Sequence, residues 1–212
     1  MPRVGVLALQ GDFAAHGRAL DELHVMWRLV KKPAELAEVD GLIIPGGEST
    51  TLLRLLQAMA LRPALEQFHA RGRPIFGTCA GLILLARETR NPSQESLGFI
   101  DIVAERNAYG RQVDSFIAYG TPLVAELEPP PLEMVFIRAP KIASLGPAVV
   151  ALATCRNQVV LARQGHVLVS AFHPELTADR RVHRYFLEMV AAAREERMPV
   201  ARLAPDDAQP GP

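Results

Sequence analysis

The chain has 212 residues, 49% of them hydrophobic and 22% charged, which is enough apolar material for one large folded domain. Lys and Arg together number 23, as do Asp and Glu, so the basic excess typical of nucleic-acid-binding and membrane-surface proteins is missing. The two cysteines, Cys79 and Cys155, are too few for a disulfide framework and form no C-x-x-C zinc pair, which favours a cytoplasmic protein.

Short apolar runs alternate with helical patterns in the first ninety residues. Runs at residues 4–9 and 24–30, and in the segments GLIIPGG and PIFGTCAG, predict four strands. Ser49 or Thr50 is expected to cap the third intervening helix, Pro63 and Gly72 are expected to bound the next, and LILLARE is expected to be helical. Strands that are apolar throughout indicate a parallel sheet covered on both faces. No apolar run approaches the ~20 residues of a membrane-spanning helix.

After residue 96 the pattern changes to strand-like runs that follow one another directly. They are expected to be antiparallel additions to the same sheet, followed by a final helix near residues 179–194. The predicted class is therefore α/β, a three-layer sandwich with a mostly parallel central sheet and antiparallel additions. Residues 1–196 are predicted to be a single domain. Residues 197–212, rich in Pro, Ala and Asp, are predicted to be a mobile tail.

The segment FGTCAGL contains the candidate nucleophile, Cys79. The pattern G-x-C-x-G between a strand and a helix is typical of a nucleophile elbow. Gly77 and Gly81 would let neighbouring chain approach without a Cβ clash, and the following helix would direct its positive dipole end at the sulfur. The backbone N–H of Ala80 can point at an oxyanion. An isolated cysteine is more often a small buried hydrophobe, and Cys155 keeps that interpretation.

A cysteine nucleophile needs a base and a group that orients the base. His173 ends an apolar strand, and the carboxyl ends of parallel strands form one crevice, so His173 and Cys79 are expected to meet. Pro174 favours extended geometry at His173, which would bring Glu175 beside the imidazole. The alternative is a turn in which Glu175 caps the helix after Thr177. The zinc-deaminase pattern H-x-E lacks its P-C-x-x-C partner here, so no metal site is predicted.

The other five histidines are assigned structural places. His166 is expected in a turn. Four lie among charged neighbours in helical or strand-edge patterns and are interpreted as surface residues: His16, His24, His69 and His183.

The segment IIPGGESTT places a glycine pair between a strand and a helix. It could cradle a phosphate, but it lacks the lysine of a P-loop and the G-x-G-x-x-G of a dinucleotide site. Its backbone N–H groups, Gly47 included, could instead complete an oxyanion hole beside Cys79.

Taken together, these segments resemble the class I (triad) glutamine amidotransferases, which have a flavodoxin-like fold. Within that class they are similar to the family of glutaminase subunits of pyridoxal 5'-phosphate synthase. The matching segments are GVLALQGD (residues 5–12), PGGEST (45–50), GTCAGLILLA (77–86), RNAYGRQVDSF (106–116), FIRAP (136–140) and HPELT (173–177).

The resemblance implies hydrolysis of L-glutamine by a triad of Cys79, His173 and Glu175, through a thioester and without a metal or other cofactor. It also implies a partner, a synthase subunit that receives the ammonia within a large hetero-oligomer. The PGGEST loop and the LQGD segment are our candidates for coupling to that partner. The implied glutamine contacts are Gly47, Glu48, Ser49, Arg106, Ile137 and Arg138. The alternatives are a solvated arginine at Arg106 and a structural ion pair at Arg138.

Three other functions stay open at this point. The chain could be the glutaminase subunit of another amidotransferase, a cysteine hydrolase of a different small amide or ester, or a non-catalytic assembly subunit. Turnover of small esters would indicate the second, and an unaffected Cys79→Ala variant would indicate the third.

Overall fold

The computed structural model describes residues 2–106 and 115–197. Its strands are β1 (Arg3–Leu7), β2 (Met26–Val30), β3 (Gly41–Ile44), β4 (Ile75–Thr78), β5 (Ala86–Arg90), β6 (Ile100–Glu105), β7 (Ser115–Pro122), β8 (Leu132–Ile137), β9 (Lys141–Leu145), β10 (Val150–Cys155), β11 (Gln158–Gln164) and β12 (Val167–Ser170). Its α-helices are α1 (Phe13–Glu22), α2 (Pro33–Leu36), α3 (Ser49–Ala58), α4 (Leu61–Ala70), α5 (Ala80–Leu85) and α6 (Arg181–Arg197). Two 3₁₀ turns span Ala125–Leu127 and Pro174–Leu176.

The main sheet has nine strands in the order β2-β1-β3-β4-β12-β11-β10-β7-β8. The first five are parallel to one another, and the remaining four extend the sheet through antiparallel pairs. β4 and β12 are neighbours, with Thr78 in register with Ser170. Both strands therefore end at the same level of the sheet. The predicted α/β class, a parallel sheet with antiparallel additions, is confirmed.

Two helical layers cover the two faces of the sheet. Phe76 of β4 packs against Phe186 of α6, with ring centroids 5.6 Å apart. The next residue, Gly77, points the other way, because a Cβ there would lie 2.6 Å from Leu85 of α5. α1 packs beside α6 through His16 and His183, whereas α2 packs on α4, α4 on α3 and α3 on α5. The predicted three-layer arrangement is confirmed, and most of the buried apolar residues that the structure describes form one cluster.

Some details of the second half differ from expectation. β12 was counted among the antiparallel additions, but it pairs parallel with β4 near the middle of the sheet. β5, β6 and β9 form a separate three-stranded sheet. The segment LILLARE is helical only as far as Leu85, where the chain continues directly into β5. Its unbroken apolar run is compatible with a helix and with a buried strand, so the spacing of apolar residues does not distinguish the two.

The helix boundaries contain further corrections. The cap of α3 is Glu48, whose carboxylate accepts from the N–H groups of Thr50 and Thr51, so neither Ser49 nor Thr50 caps that helix. Pro63 is the third residue of α4 instead of its first, while Gly72 follows its end at φ +65°, as a C-terminal glycine should. The final helix spans Arg181–Arg197, so it includes the first residue of the predicted tail 197–212; the rest of that tail lies outside the described residues. Within the described ranges, no helix is long and apolar enough to cross a bilayer.

Candidate active site

Cys79 lies in a sharp turn between β4 and α5. Its φ is +49°, a conformation that a residue with a side chain rarely adopts. A Cβ at Gly81 would come within 2.2 Å of the Ile44 carbonyl oxygen, and one at Gly77 within 2.6 Å of Gly81. The N–H of Cys79 donates to the Ser170 carbonyl at 2.8 Å, which ties the turn to β12. The expected elbow is therefore present, and it needs both flanking glycines.

His173 and Glu175 follow the end of β12, the strand next to the elbow. His173 Nδ1 lies 2.7 Å from Glu175 Oε1, and the Cys79 thiol donates to the carbonyl oxygen of Ile137 at 3.9 Å. A Cβ at Gly46 would lie 2.4 Å from His173 Cε1 and 3.3 Å from Cys79 Cβ, so only glycine fits beside the pair. The expected extended spacing is wrong, because Glu175 reaches His173 from the 3₁₀ turn Pro174–Leu176. His173 nonetheless contacts Glu175 and lies close to Cys79.

The pair formed by His173 and Glu175 favours its charged form. Burial lowers the pKa of His173, but hydrogen bonds to Cys79 and Glu175, with the charge of Glu175, outweigh it and raise that pKa to about 10. Burial raises the pKa of Glu175, but the nearby imidazoles of His16 and His173 lower it to about 2. An imidazolium beside a carboxylate is thus stable over the neutral range.

A cleft of about 320 Å³ opens in front of Cys79, a volume at the lower end of ligand pockets and suited to one amino acid. All six residues expected to contact glutamine line it, namely Gly47, Glu48, Ser49, Arg106, Ile137 and Arg138. Ala80, the other residue expected in the oxyanion hole, begins α5 directly after Cys79; it is fully buried and does not line the cleft. Residues 107–114 of the matching RNAYGRQVDSF segment lie outside the described residues.

The open end of the cleft carries opposite charges. Arg106 Nη2 lies 3.3 Å from Thr50 Oγ1 and 3.5 Å from Glu48 Oε1, and its side chain is only 16% exposed, so it is not a solvated arginine. Burial raises the pKa of Glu48, but hydrogen bonds from the Thr51 hydroxyl and the N–H groups of Thr50 and Thr51 lower it to about 2. Arg138 is exposed at φ +42° and has no ion-pair partner within residues 2–106 and 115–197.

Several cleft residues were not predicted individually from the sequence. Gln10 accepts a hydrogen bond at 3.0 Å from the N–H of Glu48 and packs against Gly47. Gly11, at φ +94°, lies against the carbonyl of Gly46. The LQGD and PGGEST segments therefore pack on each other at the cleft, and the expectation that both border it is confirmed. Gln94, which accepts from the Ser49 hydroxyl at 2.9 Å, was also missed.

The assignment of His16 and His183 to the surface is wrong, because both are fully buried. Their charged sequence neighbours, such as Arg18 and Arg184, obscured a spacing that identifies them as inward-facing. His16 lies three residues after Phe13 and four before Leu20, and His183 lies three residues before Phe186. His16 Nε2 is 3.5 Å from Glu175 Oε2, so the pair lies directly behind the His173–Glu175 contact.

Comparisons with known proteins give one consistent result. The profile of the SNO glutamine amidotransferase family matches residues 6–192. The pyridoxal 5'-phosphate synthase subunit PdxT of Thermosipho africanus is 51% identical over 89% of this chain and 98% of its own length. PdxT of Thermotoga maritima is 50% identical over 89% of this chain and 99% of its own. A crystal structure described as a glutamine amidotransferase superposes with a TM-score of 0.82 at 45% identity, covering 89% of this chain and 98% of that one.

Proposed function

This chain belongs to the SNO glutamine amidotransferase family, and from that premise we propose that Cys79, His173 and Glu175 form its catalytic triad. The protein is a glutaminase, the glutamine-hydrolysing subunit of pyridoxal 5'-phosphate synthase, and it releases L-glutamate and ammonia. The observation that carries the triad assignment is the strained turn that places Cys79 close to His173, which is itself 2.7 Å from Glu175.

The reaction begins with the proton of the Cys79–His173 pair already on the imidazole, where the raised pKa of His173 and the carboxylate of Glu175 hold it. The thiolate attacks the side-chain carbonyl carbon of glutamine. N–H groups of Gly47 and Ala80 stabilise the oxyanion, and one such donor typically contributes ~3–4 kcal/mol. The C–N bond breaks as His173 protonates the leaving nitrogen, which departs as ammonia and leaves a thioester on Cys79.

The second half of the reaction restores the enzyme. His173 takes a proton from water, and the resulting hydroxide attacks the thioester carbonyl. The C–S bond breaks, glutamate leaves, and His173 keeps the proton beside the Cys79 thiolate. Glu175 keeps the imidazole in one orientation through both halves, since its Oε1 contacts Nδ1 and leaves Nε2 for the sulfur and the leaving nitrogen.

The charges at the open end of the cleft suit the backbone end of free glutamine. Arg106 can attract the α-carboxylate, and Glu48, with its lowered pKa, can attract the α-ammonium group. Ser49, Ile137 and Arg138 complete the wall against which the side chain lies. This arrangement would select an amino acid with both backbone charges free, which small esters lack.

The partner we propose is the synthase subunit that consumes the ammonia. The two relatives are named as subunits of pyridoxal 5'-phosphate synthase, which supports a larger hetero-oligomer with the same division of labour. Ammonia released into neutral water would be protonated and lose its nucleophilicity, so a docked synthase with a water-excluding route is expected. We place the reaction in the cytoplasm and in a single domain over residues 1–196. It needs the triad and water, and no cofactor.

The test is glutamine hydrolysis by the purified protein mixed with the synthase subunit. Cys79→Ala should abolish glutamate formation, whereas Cys155→Ala, a buried cysteine outside the cleft, should retain it. Glutamate production by Cys79→Ala at the unsubstituted rate would refute the triad. Turnover of small esters without turnover of glutamine would instead indicate a different cysteine hydrolase.

A further inference from the structure

A line of buried polar side chains continues behind Glu175, away from the cleft. One carboxylate oxygen, Oε1, contacts His173, while the other, Oε2, has no conventional hydrogen-bond partner and faces His16 Nε2 at 3.5 Å. His16 Nε2 is also 3.2 Å from Thr78 Oγ1, and His16 Nδ1 is 3.1 Å from His183 Nε2. The side chains of His16 and Glu175 are completely inaccessible to solvent. None of the reaction steps above uses His16 or His183.

The protonation states of His16 and His183 determine which hydrogen bonds these two side chains can donate. Burial is the main influence on both histidines; it lowers the pKa of His16 and lowers that of His183 to about 3. The charged groups that act on His16 are Glu175 and Asp12, which raise its pKa, and His173 and Arg180, which lower it. Both rings are therefore neutral at physiological pH, and each carries its single N–H on one of two nitrogens.

Only one of the two tautomer arrangements suits the surroundings. If His16 carried its proton on Nδ1 and donated to His183, its Nε2 lone pair would face the Glu175 carboxylate, and His183 Nδ1–H would be a buried donor without an acceptor. If His183 Nε2–H donates to His16 Nδ1, then His16 carries its proton on Nε2. That N–H points at both Thr78 Oγ1 and Glu175 Oε2. The second arrangement leaves neither imidazole N–H unpaired.

We propose that His16 is a positioning residue for the triad, holding Glu175 through Oε2, and that His183 fixes His16 in the tautomer this requires. Glu175 is then held at both oxygens, which keeps Oε1 directed at His173. The inference rests on the proposed function only in taking Cys79, His173 and Glu175 as the catalytic triad. It is independent of which amide is the substrate.

The competing explanation is that the two histidines simply fill space in the core. Both rings meet Phe76 edge to face, with centroids 6.2 Å and 6.1 Å away, as apolar side chains of similar size could. Among the described residues, no cluster of three or more His, Cys, Asp or Glu side chains has a metal-binding arrangement. If the histidines only fill space, the activity of a variant should depend on the shape of the new side chain. If they position Glu175, it should depend on whether the new side chain keeps the N–H donor.

Amide side chains separate these two explanations. The amide nitrogen of glutamine is as many bonds from the backbone as His Nε2, and that of asparagine as many as His Nδ1. His16→Gln can therefore keep the donor to Glu175, whereas His16→Asn loses it. In the same way His183→Gln keeps the donor to His16, and His183→Leu loses it. His69→Gln is the control, since His69 stacks on Phe99 well away from the cleft.

The first measurement is glutamine turnover by each variant in complex with the synthase subunit. His16→Asn and His183→Leu should lower kcat roughly ten- to a hundredfold, the range expected for losing one hydrogen bond to a charged group, with KM unchanged. His16→Gln, His183→Gln and His69→Gln should stay within a few-fold of the original protein. Equal losses in His16→Gln and His16→Asn, or no loss in the latter, would overturn the proposal.

The second measurement is the pH profile of Cys79 alkylation by iodoacetamide, followed by mass spectrometry. A less firmly held Glu175 supports the imidazolium less well, so the midpoint should move to higher pH in His16→Asn and His183→Leu, by up to about one unit. An unmoved midpoint would contradict the positioning role. This profile needs no glutamine, so it also separates failure of this inference from failure of the proposed substrate.

The third measurement needs no substitution beyond one for assignment. In ¹⁵N-histidine-labelled protein, the His16 signals are those missing from His16→Gln, and one-bond coupling to hydrogen shows which nitrogen carries the proton. We expect the proton on Nε2. A proton on Nδ1 would overturn the proposal whatever the activities of the other variants.

Discussion

The two ends of the cleft differ in how far their side chains are buried and in which elements carry them. At the buried end, the side chains of His173 and Glu175 are 9% and 0% exposed, and further buried groups stand behind them. At the open end, Glu48 is 48% exposed and pairs with Arg106, the last described residue before position 115. The groups that we propose to react thus follow the two central strands, while the groups that we propose to meet the backbone of glutamine are carried by loops. Substitutions at the first end should act on kcat and those at the second on KM.

The strongest test of the buried end is Glu175→Gln. An amide can present its N–H to His173 and so favour the wrong tautomer of the base, while its size stays nearly the same. We expect kcat to fall about 10²- to 10⁴-fold with KM nearly unchanged, the range of general acid–base contributions. Steady-state glutamine hydrolysis with the synthase subunit measures both constants. Glu195→Gln, on the exposed side of α6, is the matched control. A kcat within threefold of the control would mean that Glu175 does not orient His173.

The open end should respond differently to Arg106→Ala. Loss of the guanidinium removes the cation beside Glu48 and leaves the triad untouched. We expect KM for glutamine to rise roughly tenfold or more, with kcat changed only a few-fold, because the contact is made equally in the ground and transition states. Arg62→Ala, which breaks a surface ion pair with Glu66, is the control. A fall in kcat at constant KM would show that the two ends are not separable.

The contrast between the ends also explains what could be predicted from the sequence. The parallel strands and the elbow were recognisable because apolar runs and the Gly77–Cys79–Gly81 spacing are local patterns. Gly46 was missed, since its role depends on His173 arriving from a distant strand. β12 was misassigned to the antiparallel additions because its own sequence shows no partner direction.

His16 and His183 show the same limit most clearly. Each is polar and lies among charged neighbours, so local composition indicated solvent. Only the meeting of α1 and α6 over Phe76 buries them, and that contact joins positions 167 residues apart. The helical spacing of His16 with Phe13 and Leu20 was the one available signal, and it was outweighed by the charges nearby.

The smallest effect we predict concerns stability at acid pH, and it tests the buried end without any substrate. Burial lowers the pKa of His183 to about 3 in the folded protein, against 6.5 for the free side chain. Below pH 6.5 the unfolded chain therefore binds a proton that the folded protein does not, so stability falls as the pH drops towards 3. Above pH 6.5 this residue has no effect. His183→Gln removes the titration but leaves the contributions of His173 and Glu175 in place.

Urea unfolding at pH 7 and pH 5 measures the difference between the two chains. The original protein should lose about 2 kcal/mol more than His183→Gln between these two values, since each pH unit below 6.5 contributes up to ~1.4 kcal/mol. His24→Gln, at an exposed position, is the control for replacing a histidine. Parallel pH dependence in the original and His183→Gln would mean that His183 is protonated while buried. The histidine pair behind Glu175 would then carry a positive charge. Charge attraction, and not one fixed tautomer, would hold the side chains at the buried end of the cleft.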